Sequence, residues 1–382
     1  MVLYGADRAQ EYRNVFEGRV ALLTGPSGRT SDNRLTIDVL KECCNLQLLL
    51  APEHGVRGDK AAGALFEDEI DRESGLPVRS LYTKTSKRLS PETLSLFDTL
   101  VYDMADVGCR YYTFLTTLRY CMEDCAAAGK RLVVLDRPNP LGDRVEGGVL
   151  RQETESFVGG YTIPVCYGLT CGELAAMMNG ELINCGCDLK VVPCGGLTRQ
   201  MTFRDWGHCW VMPSVGIPRF ETALLYPGTC LIEGTNLSEG RGTADPFGIL
   251  GAPFIKAEEF ARCFHAMKLP GVEATPVYFT PTTSKHQGVL CGGIQLHIMD
   301  EKTIRPVELG VRLLDLLRQM YPGDFSFLPP VRPDGKIFLS LLAGHRDFEN
   351  PDWDADDILA RYETESRAFQ TRKMRYERYE KE

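Results

Sequence analysis

The chain has 382 residues, 43% hydrophobic and 25% charged, with a formal net charge of -9. That length exceeds the usual span of one hydrophobic core, so two domains are expected, with chain to spare for a buried cleft. The acidic balance excludes a general nucleic-acid binder, and no segment approaches the roughly 18 apolar residues of a membrane span, so neither nucleic acid nor membrane is an expected partner.

Residues 1–7 carry neither the basic nor the apolar stretch of a signal peptide, so a soluble cytoplasmic protein is expected. From there to about residue 140, short apolar runs alternate with helical apolar periods, the pattern of a mostly parallel sheet flanked by helices. Strands are predicted at 19–23, 46–50, 78–82, 99–104 and 131–135. Helices are predicted to open at Ser31 or Asp32, at Ser90-Pro91 with proline in the first turn, and near Tyr112, the last stopping at Gly129. Further on, helices at 171–183, 256–267 and 306–320 and strands at 189–192, 274–279 and 293–298 describe a second, α+β unit. The proline- and glycine-rich stretch 206–253 has little periodicity and reads as a long substrate loop, while the charged residues from Trp353 onward read as a surface helix. The expected fold is therefore α/β: a doubly wound, mostly parallel sheet domain at 1–160, then a smaller α+β domain at 161–382.

Fourteen cysteines lack paired C-x-x-C spacing and are read as reduced thiols, which fits a reducing compartment and gives no metal site. Residues 25–28 match neither dinucleotide- nor nucleotide-binding glycine patterns, so no cofactor is expected.

The polar, glycine- and proline-rich segments fall directly after predicted strands, where open α/β sheets bind ligands. In Pro52-Glu53-His54-Gly55-Val56-Arg57-Gly58, Glu53 is a candidate general acid, because partial burial would raise its pKa; a turn-capping carboxylate is the plainer alternative. His54 is a candidate for orienting a substrate hydroxyl. In Asp106-Val107-Gly108-Cys109-Arg110-Tyr111-Tyr112-Thr113, carboxylate and tyrosines suit a sugar, but Asp106 as a helix cap with Tyr111 and Tyr112 in the core fits equally. Asp136-Arg137-Pro138-Asn139-Pro140 offers Asp136 and Asn139 to hydroxyls, or braces a proline turn. The run from Tyr226 to Thr243 contains Glu233, Asn236, Glu239 and Arg241 among glycines and reads as a binding loop.

Taken together, Pro52-Glu53-His54-Gly55, the Asp106 to Thr113 run, Asp136-Arg137-Pro138-Asn139-Pro140, Glu233-Gly234-Thr235-Asn236 and Ser238-Glu239-Gly240-Arg241-Gly242-Thr243 resemble the NamZ-type exo-β-N-acetylmuramidases over nearly the whole chain. The resemblance implies a Rossmann-like domain beside a smaller one with a cleft between them. It also implies a bacterial glycoside hydrolase of cell-wall recycling that releases N-acetylmuramic acid from the non-reducing end of peptidoglycan fragments. Carried over by motif, Glu53 is the leading catalytic carboxylate, with Asp106, Glu233 and Glu239 as candidates for the second group. The lactyl carboxylate of the substrate calls for a cation, and Arg57, Arg110 and Arg241 lie in the right loops. Two departures stand out. Pro213-Ser214-Val215-Gly216-Ile217-Pro218 replaces Pro-Ser-Pro-Asn-Met-Pro, and Gly25 precedes Pro26 where asparagine is common. They leave open a muropeptide-binding protein without turnover, or a hydrolase of another anionic amino sugar.

Overall fold

A computed structural model describes residues 1–52, 55–58, 68–81, 86–330 and 335–381. In chain order its strands are β1 (Val20–Thr24), β2 (Leu46–Ala51), β3 (Glu69–Ile70), β4 (Pro77–Ser80), β5 (Thr99–Asp103), β6 (Arg131–Leu135), β7 (Val145–Glu146), β8 (Cys166–Tyr167), β9 (Asp188–Val192), β10 (Ile249–Ala252), β11 (Val272–Phe279) and β12 (Cys291–Ile298). The α-helices are α1 (Thr36–Cys43), α2 (Pro91–Ser95), α3 (Phe114–Ala127), α4 (Cys171–Met177), α5 (Phe203–Trp206), α6 (Phe220–Thr229), α7 (Ala257–Ala266), α8 (Pro306–Met320), α9 (Phe338–Ala343) and α10 (Ala355–Lys373).

Seven strands make one sheet in the order β3-β4-β2-β1-β5-β6-β9, parallel throughout except for β3 against β4. β1 and β5 are buried at every position because both faces of the sheet are covered. Val20, Leu22, Leu49, Val101 and Val133 pack on one face with Ile37 and Leu40 of α1. Ala21, Leu23, Leu100 and Val134 pack on the other with Leu115, Leu118 and Met122 of α3. This second core runs on without a break into the antiparallel sheet β10-β12-β11 and helices α6 to α8. β9 lies past the expected boundary at 160/161, yet it pairs in parallel with β6 and extends the large sheet.

β1 is the strand at which the winding reverses: the chain goes first to β2 on one side and later to β5 on the other. The connections leaving β1 and β5 therefore diverge and open a crevice at their carboxyl ends. Among the described residues, no helix is long and apolar enough to cross a membrane.

Several elements differ from the sequence reading. α1 starts at Thr36 rather than at Ser31 or Asp32, because Asn33 is left-handed (φ 68°) and the Arg34 N–H donates to Thr30 Oγ1 at 2.9 Å, closing a turn that a helix cannot include. The stretch 206–253 is not one loop, since it holds α6 and β10. α6 is buried on nearly all sides and so shows no amphipathic period, and Pro227 inside it conceals it further. α10 does form, but Ile358, Tyr362, Ser366 and Phe369 make a buried stripe along it.

Arg110 turns out to hold these parts together. It is fully buried, and its Nη1 donates to the carbonyls of Gly148 (2.7 Å) and Ile163 (2.8 Å) while Nη2 donates to those of Leu342 (2.9 Å) and Ala343 (2.8 Å). Arg110→Met leaves four buried acceptors without a donor and is expected to destabilise the protein by about 3–5 kcal/mol, seen as a lower urea midpoint at unchanged slope. A loss below about 1 kcal/mol would show the four bonds to be dispensable.

Candidate active site

The crevice at the reversal point is a cleft. Its floor comes from segments that leave three strands: Ser27 to Asn33 after β1, Ala105 and Asp106 after β5, and Arg137, Pro138 and Pro140 after β6. Its wall is aromatic and comes from α5 and the residues after it. Phe203 stands edge-on to Trp206 and Trp210, with ring centroids 5.3 and 4.9 Å apart. Trp210 Nε1 donates to the Ile217 carbonyl at 3.1 Å, and His208 Nε2 lies 2.7 Å from the Val2 carbonyl, so both rings are pinned. Tyr4 completes the wall, 4.9 Å from the His208 ring. Apolar faces with a few fixed polar groups are the usual make-up of a sugar or small-molecule site.

Beneath the wall, Asp103 at the end of β5 is fully buried and accepts from Arg137 Nε at 2.6 Å and Nη2 at 3.1 Å, and from Thr36 Oγ1 at 2.5 Å. Arg137 Nη2 also donates to the Arg29 carbonyl at 2.7 Å, which ties the β1 segment to the same centre. Asp106 differs. Its Oδ2 accepts from the Gly108 N–H at 3.2 Å, while Oδ1 is buried with no hydrogen-bond partner among the described residues. Burial pushes its carboxyl up to about 7, against two backbone N–H bonds that pull the other way.

Glu53 and His54 lie outside the described residues. Their neighbours are placed: Pro52 sits 3.7 Å from where a Gly25 Cβ would stand, and Gly58, left-handed at φ 76°, approaches Pro26 so closely that a Cβ would meet its ring at 2.6 Å. The segment after β2 is thus packed against the segment after β1. β2 and β5 flank β1, so their ends are about 10 Å apart, two strand spacings.

Of the other expected site residues, Asp106 lines the cleft and the rest, as described, face other partners. Arg110 is the buried brace above, which removes it from reach of a ligand. Tyr111 is buried with its hydroxyl donating to the Pro227 carbonyl, and Tyr112 is buried against Phe114 and Tyr226, so the core alternative holds for both. Asp136 is enclosed: it accepts from Arg137 N (2.9 Å), Thr170 Oγ1 (2.8 Å), Gly172 N (2.6 Å) and Tyr379 Oη (2.5 Å), and burial lifts it to about 6. Asn139 is a turn brace, accepting from Leu141 N and donating to the Leu169 carbonyl. It fits because Gly108 has no Cβ, which would stand 2.3 Å from Asn139 Oδ1. Asn236 fastens its loop to Asp324 and Ser326. Arg57 makes a two-pronged pair with Asp71 at 2.9 and 2.7 Å.

Glu233, Glu239 and Arg241 do come together, with Lys285. Arg241 Nε donates to Glu233 Oε1 at 2.8 Å and lies 3.4 Å from Glu239 Oε1, and Lys285 Nζ lies 3.0 Å from Glu239 Oε2. Arg241 also lies over the Phe247 ring and against Gly216, where a Cβ would stand 2.9 Å from its Nη1. The glycine departure thus makes room for this arginine. At Gly25, by contrast, a Cβ would meet, among the described residues, only the Pro52 ring at ordinary contact.

Sequence reasoning missed Tyr4, Arg29, Arg137 and the aromatic wall as cleft residues. A signal existed for the wall: Trp206, His208 and Trp210 put three rings at alternate positions in a segment otherwise read as loop. No local signal distinguishes Arg137 as the residue that faces the cleft.

A family profile described as the N-terminal part of exo-β-N-acetylmuramidase NamZ matches residues 20–221, and one described as its C-terminal part matches 224–379. The peptidoglycan β-N-acetylmuramidase NamZ of Bacillus subtilis (strain 168) is 44% identical over 322 residues, covering 83% of this chain and 77% of the relative. Crystal structures of two DUF1343 family proteins from Bacteroides fragilis NCTC 9343 superpose with TM-scores of 0.89 and 0.79 at 32% and 30% identity, covering 99% and 100% of both chains respectively. With both profiles matched in order along most of its length, the chain belongs to the NamZ exo-β-N-acetylmuramidase family.

Proposed function

We propose that this protein is an exo-β-N-acetylmuramidase that hydrolyses terminal, non-reducing N-acetylmuramic acid from peptidoglycan fragments, with the cleft at the reversal point as its substrate site. The 44% identity to a peptidoglycan β-N-acetylmuramidase carries the reaction. The cleft supplies what the reaction needs: aromatic side chains for a sugar ring, the guanidinium groups of buried Arg137 and half-buried Arg29, and a carboxyl group in a dry setting. Its exposed Cys209, and the adjacent half-buried Cys43 and Cys44, favour a reducing compartment and support a cytoplasmic role in cell-wall turnover.

Glycoside hydrolysis uses two groups on either side of the scissile bond, with carboxyls roughly 5–10 Å apart. Glu53, carried by the family motif, is one. Asp106 is our choice for the other, because a carboxyl lifted to about 7 stays protonated to near neutrality, which is the state from which a general acid starts. The ends of β2 and β5, about 10 Å apart, stand at the upper end of that range. Glu233 and Glu239 are matched by Arg241 and Lys285 outside the cleft lining and are assigned to holding their loop.

Two measurements test this reading. The protein is expected to release nitrophenol from 4-nitrophenyl β-N-acetylmuramide in preference to the matching N-acetylglucosaminide, and Glu53→Gln is expected to lower kcat/KM by about 10³-fold with the fold intact. Equal turnover of the two glycosides, or an undiminished Glu53→Gln, would remove the assignment. A group that must be protonated fails as pH rises through its pKa, so activity is expected to fall above about pH 7. Asp106→Asn should lower kcat and abolish that alkaline limb; a limb that persists in the variant belongs to another group.

A further inference from the structure

N-acetylmuramic acid differs from N-acetylglucosamine by a lactyl ether that ends in a carboxylate, and an enzyme selective for it needs a cation aimed into its cleft. Resting on the reading above, we propose that Arg29 and Arg137 together form the seat for this carboxylate. The three arginines expected from the sequence are committed elsewhere: Arg57 to Asp71, Arg110 to four carbonyls and Arg241 to Glu233.

Arg29 and Arg137 both line the cleft. Arg29 Nε and Nη1 donate only to the carbonyls of Pro26 (3.3 Å) and Asn33 (2.9 Å), so among the described residues no carboxylate answers its charge. Arg137 is 6% exposed, and its Nε and Nη2 are taken by Asp103 and the Arg29 carbonyl, which leaves Nη1 without a protein partner among the described residues. Its guanidinium carbon lies 4.9 Å from the Tyr4 ring centroid, so aromatic contact and the Asp103 bonds together fix its plane. The bond from Arg137 Nη2 to the Arg29 carbonyl joins the two residues at the cleft floor. A fixed guanidinium in a partly dry cleft is the donor that a planar carboxylate binds best, and Arg29 supplies the charge that Asp103 cancels at Arg137.

The test uses Arg29→Met, a half-buried position whose loss leaves no buried acid behind, and Arg137→Lys, which keeps the charge against Asp103 but loses the fork. Isothermal titration with free N-acetylmuramic acid and N-acetylglucosamine gives the affinity ratio, and the two 4-nitrophenyl glycosides give the kcat/KM ratio. Each variant, with melting behaviour near wild type, is expected to reduce the preference for the muramic sugar at least about tenfold, chiefly through Kd and KM. Wild type is expected to lose a similar factor on the methyl ester of the lactyl group, and the variants to distinguish acid from ester less. Folded variants that keep the wild-type preference would overturn the proposal. If wild type turns over neither glycoside, the hydrolase reading fails on its own, and the titrations still decide: muramic acid binding that ignores Arg29→Met, or no binding of either sugar, overturns the seat.

Discussion

The ion pair of Asp103 and Arg137 is the constraint around which the rest of the site is arranged. It joins the ends of two neighbouring strands, takes a third bond from Thr36 at the start of α1, and through the Arg29 carbonyl reaches the segment that leaves β1. A buried pair of this kind contributes little net stability, since desolvation offsets attraction, but a lone partner left behind costs several kcal/mol. Its value here is positional. Three segments without regular structure of their own are held in one geometry at the point where the sheet reverses.

Asp103 and Asp106 show how three residues separate two roles. The first faces a guanidinium, whereas the second has backbone donors on one oxygen and nothing on the other among the described residues. Burial without a cation is what raises a carboxyl toward neutrality. The family motif around Asp106 thus contains one residue exposed to the cleft, while its arginine and tyrosines fasten that residue's surroundings.

The sheet was readable because its strands are continuous apolar runs; the boundaries of β2, β5 and β6 differ from expectation by at most one residue. The site's place was readable too, since polar glycine- and proline-rich segments fall where strands end. Which polar group points inward was not. Asp136 and Arg137 are adjacent, yet one is enclosed by Thr170, Gly172 and Tyr379 and the other turns to the cleft. That choice depends on partners far away in sequence, and no local period encodes it. α6 was missed for the converse reason, since a helix surrounded by core has no polar face to mark its turns.

Both ends of the described chain meet at Asp136: the Gly5 N–H donates to its carbonyl at 2.8 Å, and Tyr379 donates to its carboxylate across 243 residues. On the ribosome, the strand that carries this residue is complete long before Tyr379 has been made. At about 5–20 residues per second, the wait is on the order of ten seconds or more. Throughout that interval a buried acid beside Arg137 lacks at least one of its four donors. A nascent chain that stalls within α10 therefore carries the whole parallel sheet with Asp136 still short of the Tyr379 donor.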